Sequence, residues 1–288
     1  MSPDKSQRDD PHHGNLRHIR LCADDYGISP GVNAAILDLV ARRRINAASA
    51  IVVAPSFSVR AANALRDAAG KHAAIGLHLT LTAPFRPLSH GFAPRRHAAF
   101  LSLAAVMRRA HLRALRPEWL TIETMRQVEA FQSAFGRAPD FVDGHQHVQL
   151  FPQIGDALLR VVKDAAPNAW VRQCGRSLPA HRRLVDRKAL LLDALSRRFR
   201  RLAARQGVRT NPGFAGAYAF RAGSDYAKLF AKFLDHLPDG GVIMCHPGQA
   251  DADLRRLDPL TDLRDREYAF FLGEDFPRLL AERGVALS

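Results

Sequence analysis

The feature that most constrains the fold is a regular alternation of short apolar segments with longer amphipathic ones. Segments 74–79 and 241–245 have the length and composition of buried strands, and helical patterns such as 58–69 and 117–135 lie between such strands. Strands that alternate with helices usually pair in parallel, since each helix returns the chain to the same end of the sheet. The alternation therefore predicts an α/β protein with a mostly parallel sheet.

The length of the chain fits one such unit. It has 288 residues, of which 47% are hydrophobic, and a (β/α) barrel typically has about 250 residues. We expect one domain over 17–288, preceded by a polar, disordered leader over 1–16 that lacks the apolar segment of a secretion signal. No stretch approaches the ~18 apolar residues of a membrane-spanning helix, and cytoplasm is the default location. The three widely spaced cysteines argue against a disulfide framework or a cysteine zinc site.

Polar clusters lie at or just after the ends of four of the predicted strands. They are Asp24-Asp25, His78, the segment Asp143-Gly144-His145-Gln146-His147, and His246. In parallel α/β folds the carboxyl ends of the strands form one mouth, where active sites are built. We therefore expect the four clusters to converge on one site.

Each cluster also has a structural interpretation. An Asp-Asp pair before Tyr-Gly suits a turn or a helix cap, and His78 suits a buried core histidine bonded to backbone. The segment 143–147 suits a polar loop that contains histidines by chance, and His246 suits the start of a turn. The Asp-Asp pair also has a functional interpretation. Neighbouring residues of a strand point to opposite sides, so one aspartate can bind a metal while the other acts as a base. His145 and His147 are two apart and would face one way in an extended segment.

One carboxylate and two histidines form a ligand set that leaves coordination positions open. Such a set suits Zn²⁺ in hydrolysis, and it also suits other divalent ions. The ion acidifies a water and polarises a carbonyl, a nearby carboxylate takes the proton, and a histidine can protonate the leaving nitrogen.

The charge of the chain admits several partners without selecting one. Lys and Arg number 42 against 28 Asp and Glu, a formal net charge of +14, which suits nucleic acid, anionic lipid or acidic glycans. An arginine-rich composition also follows from a GC-rich genome. The basic amphipathic segment 183–206 predicts either peripheral membrane contact or a solvated helix of the barrel.

Several stretches resemble the YdjC/ChbG/HpnK-like carbohydrate deacetylases, in matching order over about residues 17–285. They are Ala23-Asp24-Asp25-Tyr26-Gly27-Ile28-Ser29-Pro30-Gly31-Val32-Asn33, Gly76-Leu77-His78-Leu79-Thr80, Asp143-Gly144-His145-Gln146-His147-Val148, Phe151-Pro152-Gln153 and Cys245-His246-Pro247. The resemblance implies a distorted TIM-like (β/α) barrel that hydrolyses the acetamide of an N-acetylated sugar, free or lipid-linked. The sequence departs from the family pattern at Tyr26, Gln146 and Gln149. These departures bear on which substrate contacts are kept, and none of them removes a residue that the resemblance implies as a metal ligand.

By motif position, the resemblance also implies the roles of individual residues. Asp25, His78 and His145 would bind the metal, Asp24 would be the base, and His246 would be the acid or a transition-state stabiliser. Mg²⁺ is the usual ion of the family and Zn²⁺ fits the ligands as well, so both stay open. The predicted site further includes four residues that support the ligands or contact substrate: Asp143, His147, Arg172 and Tyr218.

Two other function classes compete with a deacetylase. One is a metallo-phosphoesterase on a similar barrel, which would usually need more ligands for a two-metal clamp. The other is a basic surface-binding protein with a degenerate site. We expect no nucleic-acid partner, and the sequence predicts no oligomeric state.

Overall fold

The computed structural model describes residues 16–90, 99–177, 187–218 and 223–287. Residues 1–15 of the predicted leader and residues 183–186 of the predicted basic helix lie outside this part of the chain.

All strands of the described residues belong to one sheet, and all of them pair in parallel. In chain order they are β1 (Arg17–Tyr26), β2 (Ala47–Ala50), β3 (Ala74–Leu79), β4 (Phe141–Gly144), β5 (Trp170–Val171), β6 (Phe214–Ala215), β7 (Val242–Cys245) and β8 (Val285–Leu287). Their spatial order is β5-β4-β3-β2-β1-β7-β6, and β8 pairs with the first residues of β1. The parallel pairing puts the carboxyl ends of β1, β3, β4 and β7 at one edge.

The sheet curls until its two outer strands meet. Two isolated parallel bridges, Val171 to Thr210 and Arg176 to Phe214, join the β5 side to the β6 side. The result is a distorted (β/α) barrel, which confirms the predicted fold class.

Helices cover the outside of the sheet. They are α1 (Pro30–Ala41), α2 (Val59–Ala69), α3 (Leu103–His111), α4 (Pro117–Phe135), α5 (Ile154–Ala165), α6 (Arg187–Gln206), α7 (Tyr226–Leu234), α8 (Ala252–Leu257), α9 (Asp262–Leu272) and α10 (Asp275–Glu282), with a 3-10 helix over His145–Leu150. Local signals start several of them. Ser29 caps α1 by accepting from the Val32 N–H, and Ser58 caps α2 by accepting from the Ala61 N–H. No helix in the described ranges has both the length and the hydropathy to cross a membrane.

The structure differs from the sequence pattern in the last third of the chain. The pattern predicts a strand over 208–210 and a Gly-rich loop through Tyr218. Instead, only Thr210 forms a bridge, and β6 lies inside the predicted loop. Helices α8 and α9 and strand β8 are not predicted at all. Two- and three-residue strands carry too little periodicity to be recognised, and α9 is too polar to show an apolar face.

A close backbone approach fixes the segment after β6. Gly216 has a φ of 103°, and a Cβ placed there would lie 2.1 Å from the carbonyl oxygen of Met244 on β7. Only glycine fits, because any side chain would force β6 away from β7.

We expect Gly216→Ala to lower the free energy of unfolding by about 2–4 kcal/mol, from overpacking and from backbone strain at positive φ. Urea denaturation would measure the effect, and Gly223→Ala is the matched control because its Cβ would meet nothing within 4 Å. Equal midpoints for the two variants would contradict the packing argument.

Candidate active site

The aspartate pair lies near the carboxyl end of β1, where the strand is irregular. The register against β2 shifts between Ala23 and Tyr26, and Asp25 has a φ of 71°. This left-handed conformation is tolerated by aspartate better than by most residues. The irregularity keeps both carboxylates buried but gives them different partners: Asp24 contacts Arg172, and Asp25 contacts His78, His145 and Arg264.

One oxygen of Asp25 faces two histidines. Its Oδ1 lies 3.3 Å from His78 Nε2 and 3.0 Å from His145 Nδ1, and one ligand atom from each residue lies within 4.8 Å of the others. Two ligands held about 2.1 Å from one ion are separated by distances of this size. The donor set of one carboxylate oxygen and two imidazole nitrogens therefore fits a divalent ion such as Zn²⁺ or Mg²⁺.

The other polar atoms of these ligands are held by neighbouring groups. Arg264 Nη2 donates to Asp25 Oδ2 at 2.6 Å, and His78 Nδ1 lies 2.6 Å from Asp143 Oδ1, which also accepts from the Ser49 hydroxyl. Such outer contacts orient metal ligands and raise their basicity. Asp143 thus contacts the nitrogen of His78 that faces away from Asp25.

The pocket favours a positive charge between His78 and Asp25. Burial alone would lower the pKa of His78, but the Asp143 and Asp24 carboxylates outweigh burial and raise this pKa to about 10. Burial would likewise raise the pKa of Asp25, but Arg264 and His145 hold it well below its usual value. A bound cation would take the place of the proton on His78.

Arg172 binds the other aspartate of the pair. Its guanidinium donates to both oxygens of Asp24, at 2.6 and 2.7 Å, and its Nη2 lies 2.5 Å from Asp143 Oδ2. Burial would raise the pKa of Asp24, but Arg172 and His78 lower it. Asp24 is therefore an oriented, ionised carboxylate at neutral pH.

A second group of metal-ligating side chains lies close by, but Arg172 occupies it. Cys22, Asp24 and Asp143 have ligand-like spacing, yet Arg172 Nη2 lies 2.9 Å from Cys22 Sγ and contacts both carboxylates. Burial also raises the pKa of the Cys22 thiol well above its usual value. The guanidinium already supplies the positive charge there, so this group does not fit a second metal ion.

His246 follows β7 and is held through its backbone. Its N–H donates to Glu267 Oε2 at 2.6 Å, and the Tyr218 hydroxyl donates to Glu267 Oε1 at 2.7 Å. Cys245, the last residue of β7, pairs with Ala23 of β1, so His246 and Asp24 come next at the ends of two adjacent strands. Glu267 therefore joins the His246 segment to the segment that follows β6.

His147 does not join the ligand group. Gln146 and His147 have φ values of 55° and 60°, so the chain turns after His145 instead of running on in extended form. His147 Nδ1 lies 3.4 Å from Cys174 Sγ, and burial together with Arg172 lowers the pKa of His147 to about 3. It is a neutral imidazole beside the site, and its two-residue spacing from His145 does not make both of them face Asp25.

Two residues of the site are absent from the sequence-based prediction. Arg264 and Glu267 lie three apart on α9 and both are almost fully buried, so one face of this helix supports both Asp25 and His246. Arg264 also contacts Asp258 at 3.0 Å. The only sequence signal is the i, i+3 spacing, and it lies in a segment whose many charges are typical of a solvated helix.

The chain shares its fold and its sequence pattern with known proteins. The profile of the family described as YdjC-like protein matches residues 18–282. A relative in Escherichia fergusonii, named chitooligosaccharide deacetylase, is 27% identical over 244 residues, which are 83% of this chain and 85% of the relative.

Two solved structures show the same fold. A proposed cellobiose-phosphate cleavage protein of Enterococcus faecalis superimposes with a TM-score of 0.71 at 22% identity, over 96% of this chain and 97% of that one. The lactam utilization protein of Thermus thermophilus superimposes with a TM-score of 0.51 at 15% identity, over 95% of this chain and 99% of that one.

Replacing Arg264 by leucine should destabilise the protein by about 3–5 kcal/mol, because it removes the guanidinium that pairs with the buried Asp25 carboxylate and with Asp258. Chemical denaturation at neutral pH would measure the loss. Arg278→Leu is the control, since Arg278 forms an exposed pair with Asp275 and should matter little. Similar stabilities of the two variants would show that Arg264 does not offset the charge of Asp25.

Proposed function

Because the chain belongs to the YdjC-like protein family, we propose that it is a metal-dependent hydrolase that removes the acetyl group from an N-acetylated sugar. The substrate is an oligosaccharide or a lipid-linked glycan, and the products are acetate and the amino sugar. The observation that carries the proposal is the Asp25-His78-His145 group beside an ionised Asp24. The name of the Escherichia fergusonii relative supports the same reaction class.

Asp25, His78 and His145 would hold one divalent ion, Mg²⁺ or Zn²⁺. The ion, when bound, would acidify a water and polarise the acetamide carbonyl. Asp143 and Arg264 would orient two of these ligands toward the ion. Asp143 binds the outer nitrogen of His78, and Arg264 binds the outer oxygen of Asp25.

Asp24 is the residue that would accept the proton of the attacking water. Its bidentate pairing with Arg172 fixes the orientation of the carboxylate and keeps it ionised. A carboxylate with a lowered pKa is a weak base, so it suits a water that is already acidified.

His246 would protonate the departing amine. It follows β7 at the point where that strand pairs with β1 beside Asp24, and its backbone is fixed by Glu267. A general acid must be held within reach of the leaving nitrogen, and Glu267 restricts the movement of this segment. Tyr218 shares Glu267, and its position after β6 favours a contact with substrate.

The pocket also bears on the two competing function classes. A phosphoesterase with a two-metal clamp would need a second ion about 3.5–4 Å from the first, and the neighbouring carboxylates are already bound by Arg172. The residues proposed as ligands, base and acid are all present at the carboxyl ends of β1, β3, β4 and β7, which argues against a degenerate site.

The proposal predicts metal-dependent acetate release from at least one member of a panel of free and lipid-linked N-acetylated sugars. Asp24→Asn and His78→Ala should each lower kcat by about 10²–10⁴-fold, through loss of the base and of a ligand. His18→Ala is the control, because His18 is half-exposed beside Asp239 at the opposite edge. Release that survives chelation of the metal, or survives both substitutions, would rule out the mechanism.

Glu267 provides a second test, aimed at the position of His246. Glu267→Ala removes both acceptors and should lower kcat about 10–100-fold with little change in KM, because the acid loses its alignment. Glu267→Gln keeps a carbonyl oxygen for the His246 N–H and can donate to the Tyr218 oxygen, so most of the kcat should return. If the glutamine and alanine variants lose kcat equally at equal thermal stability, Glu267 does not act by positioning.

A further inference from the structure

The exposed apolar side chains of the described residues are unevenly distributed. Six large hydrophobic side chains are between 42% and 71% exposed: Leu16, Val59, Leu88, Leu112, Ile122 and Leu191. By their position in the chain, all except Leu16 belong to segments that border the carboxyl ends of the strands, where the candidate site opens. Leu16 precedes β1 and lies at the opposite end.

The positions of these residues in the chain establish that placement. Val59 begins α2 just after β2, and Leu88 follows β3, with its N–H bonded to Glu123 beside Ile122. Leu191 lies in the first turns of α6, close to Asp193, whose carboxylate binds Arg176 just after β5. In a parallel barrel these segments all border the carboxyl ends of the strands.

Leu112 occupies the turn between α3 and α4, which contacts the segment that carries His145. The Leu115 N–H donates to Gln153 Oε1 at 3.1 Å, and the ring of His111 lies 6.1 Å from that of Phe151. Leu112 is the most exposed of the six, at 71%. We call the end of the barrel that carries Val59, Leu88, Leu112, Ile122 and Leu191 the mouth face.

Exposed arginines accompany these apolar side chains. Residues 103–122 contain four arginines and one glutamate: Arg108, Arg109, Arg113, Arg116 and Glu118. All four arginines are exposed, and none has a carboxylate partner among the described residues; Arg116 lies over the ring of Trp119, 4.5 Å from its centroid. Arg60 and Arg86, also exposed, adjoin Val59 and Leu88.

We infer that the mouth face docks on the surface of an anionic lipid bilayer, with its apolar side chains in the interface and its arginines among the lipid head groups. Single apolar side chains, several of them beside exposed arginines, suit a bilayer interface. The core of a protein–protein interface is instead a continuous patch depleted of charge, and a nucleic-acid surface would rely on phosphate contacts and stacked aromatic rings.

This placement differs from contact along the whole basic helix. Helix α6 runs from the mouth face toward the opposite end of the barrel, so only its first turns lie in the docking surface. Its exposed arginines further along, such as Arg201 and Arg205, lie away from that surface. The two arrangements can be separated by substitution.

The test is co-sedimentation of the metal-loaded full chain with vesicles of phosphatidylcholine alone or mixed with phosphatidylglycerol. We expect binding to the mixed vesicles, weak binding to the neutral ones, and weaker binding as salt rises. Leu112→Gln should lower the partition coefficient about tenfold, and Arg109→Gln about fivefold. The matched controls Leu16→Gln and Arg205→Gln should leave it unchanged.

Three outcomes would overturn the inference. The first is that the wild-type protein does not bind anionic vesicles. The second is that vesicle binding falls equally in the Leu112 and Leu16 variants, or equally in the Arg109 and Arg205 variants. The third is that the protein self-associates without lipid and that Leu112→Gln abolishes this self-association. The last would make the mouth face an interface between copies of the chain. Because sedimentation does not measure acetate release, the result is independent of the proposed reaction.

Discussion

The pairing of buried carboxylates with two buried guanidinium groups is the constraint on which the site depends. Asp24, Asp25 and Asp143 lie together out of contact with water, and each such charge costs several kcal/mol unless it is paired. Arg172 and Arg264 supply that pairing from segments 148 and 239 residues further along the chain. The pocket therefore exists only once the barrel is closed, which links the assembly of the site to the completion of the fold.

Within this arrangement the adjacent aspartates divide their roles. The irregular end of β1 turns Asp24 toward Arg172 and Asp25 toward the histidines and Arg264. Strand alternation alone predicts that neighbouring residues differ in environment, but it does not say which partner each receives. Here the two environments differ chemically, because Asp24 is bound at both oxygens by an arginine, whereas one oxygen of Asp25 faces two histidines.

Much of the fold and the main residues of the site were predictable from the sequence, because their signals are local. Strand β3 has the predicted bounds, and the polar clusters after β1, β3, β4 and β7 converge as parallel strands require. Arg264 and Glu267 were not predictable, since arginine and glutamate are rarely buried and only distant contacts bury them here. The orientation of His147 was also hidden, because Gln146 and His147 adopt left-handed backbone without a glycine to signal it. The residue roles themselves remain predictions.

Helix α9 has a consequence for how the site can vary. Arg264 holds a proposed metal ligand and Glu267 holds the backbone of the proposed acid, and a rigid helix keeps the two about one turn apart. A rotation or a slip of α9 by one residue would break both contacts together. The side chains that hold the proposed metal ligand and the proposed acid thus share one helix, so any displacement of α9 would be felt at both positions at once.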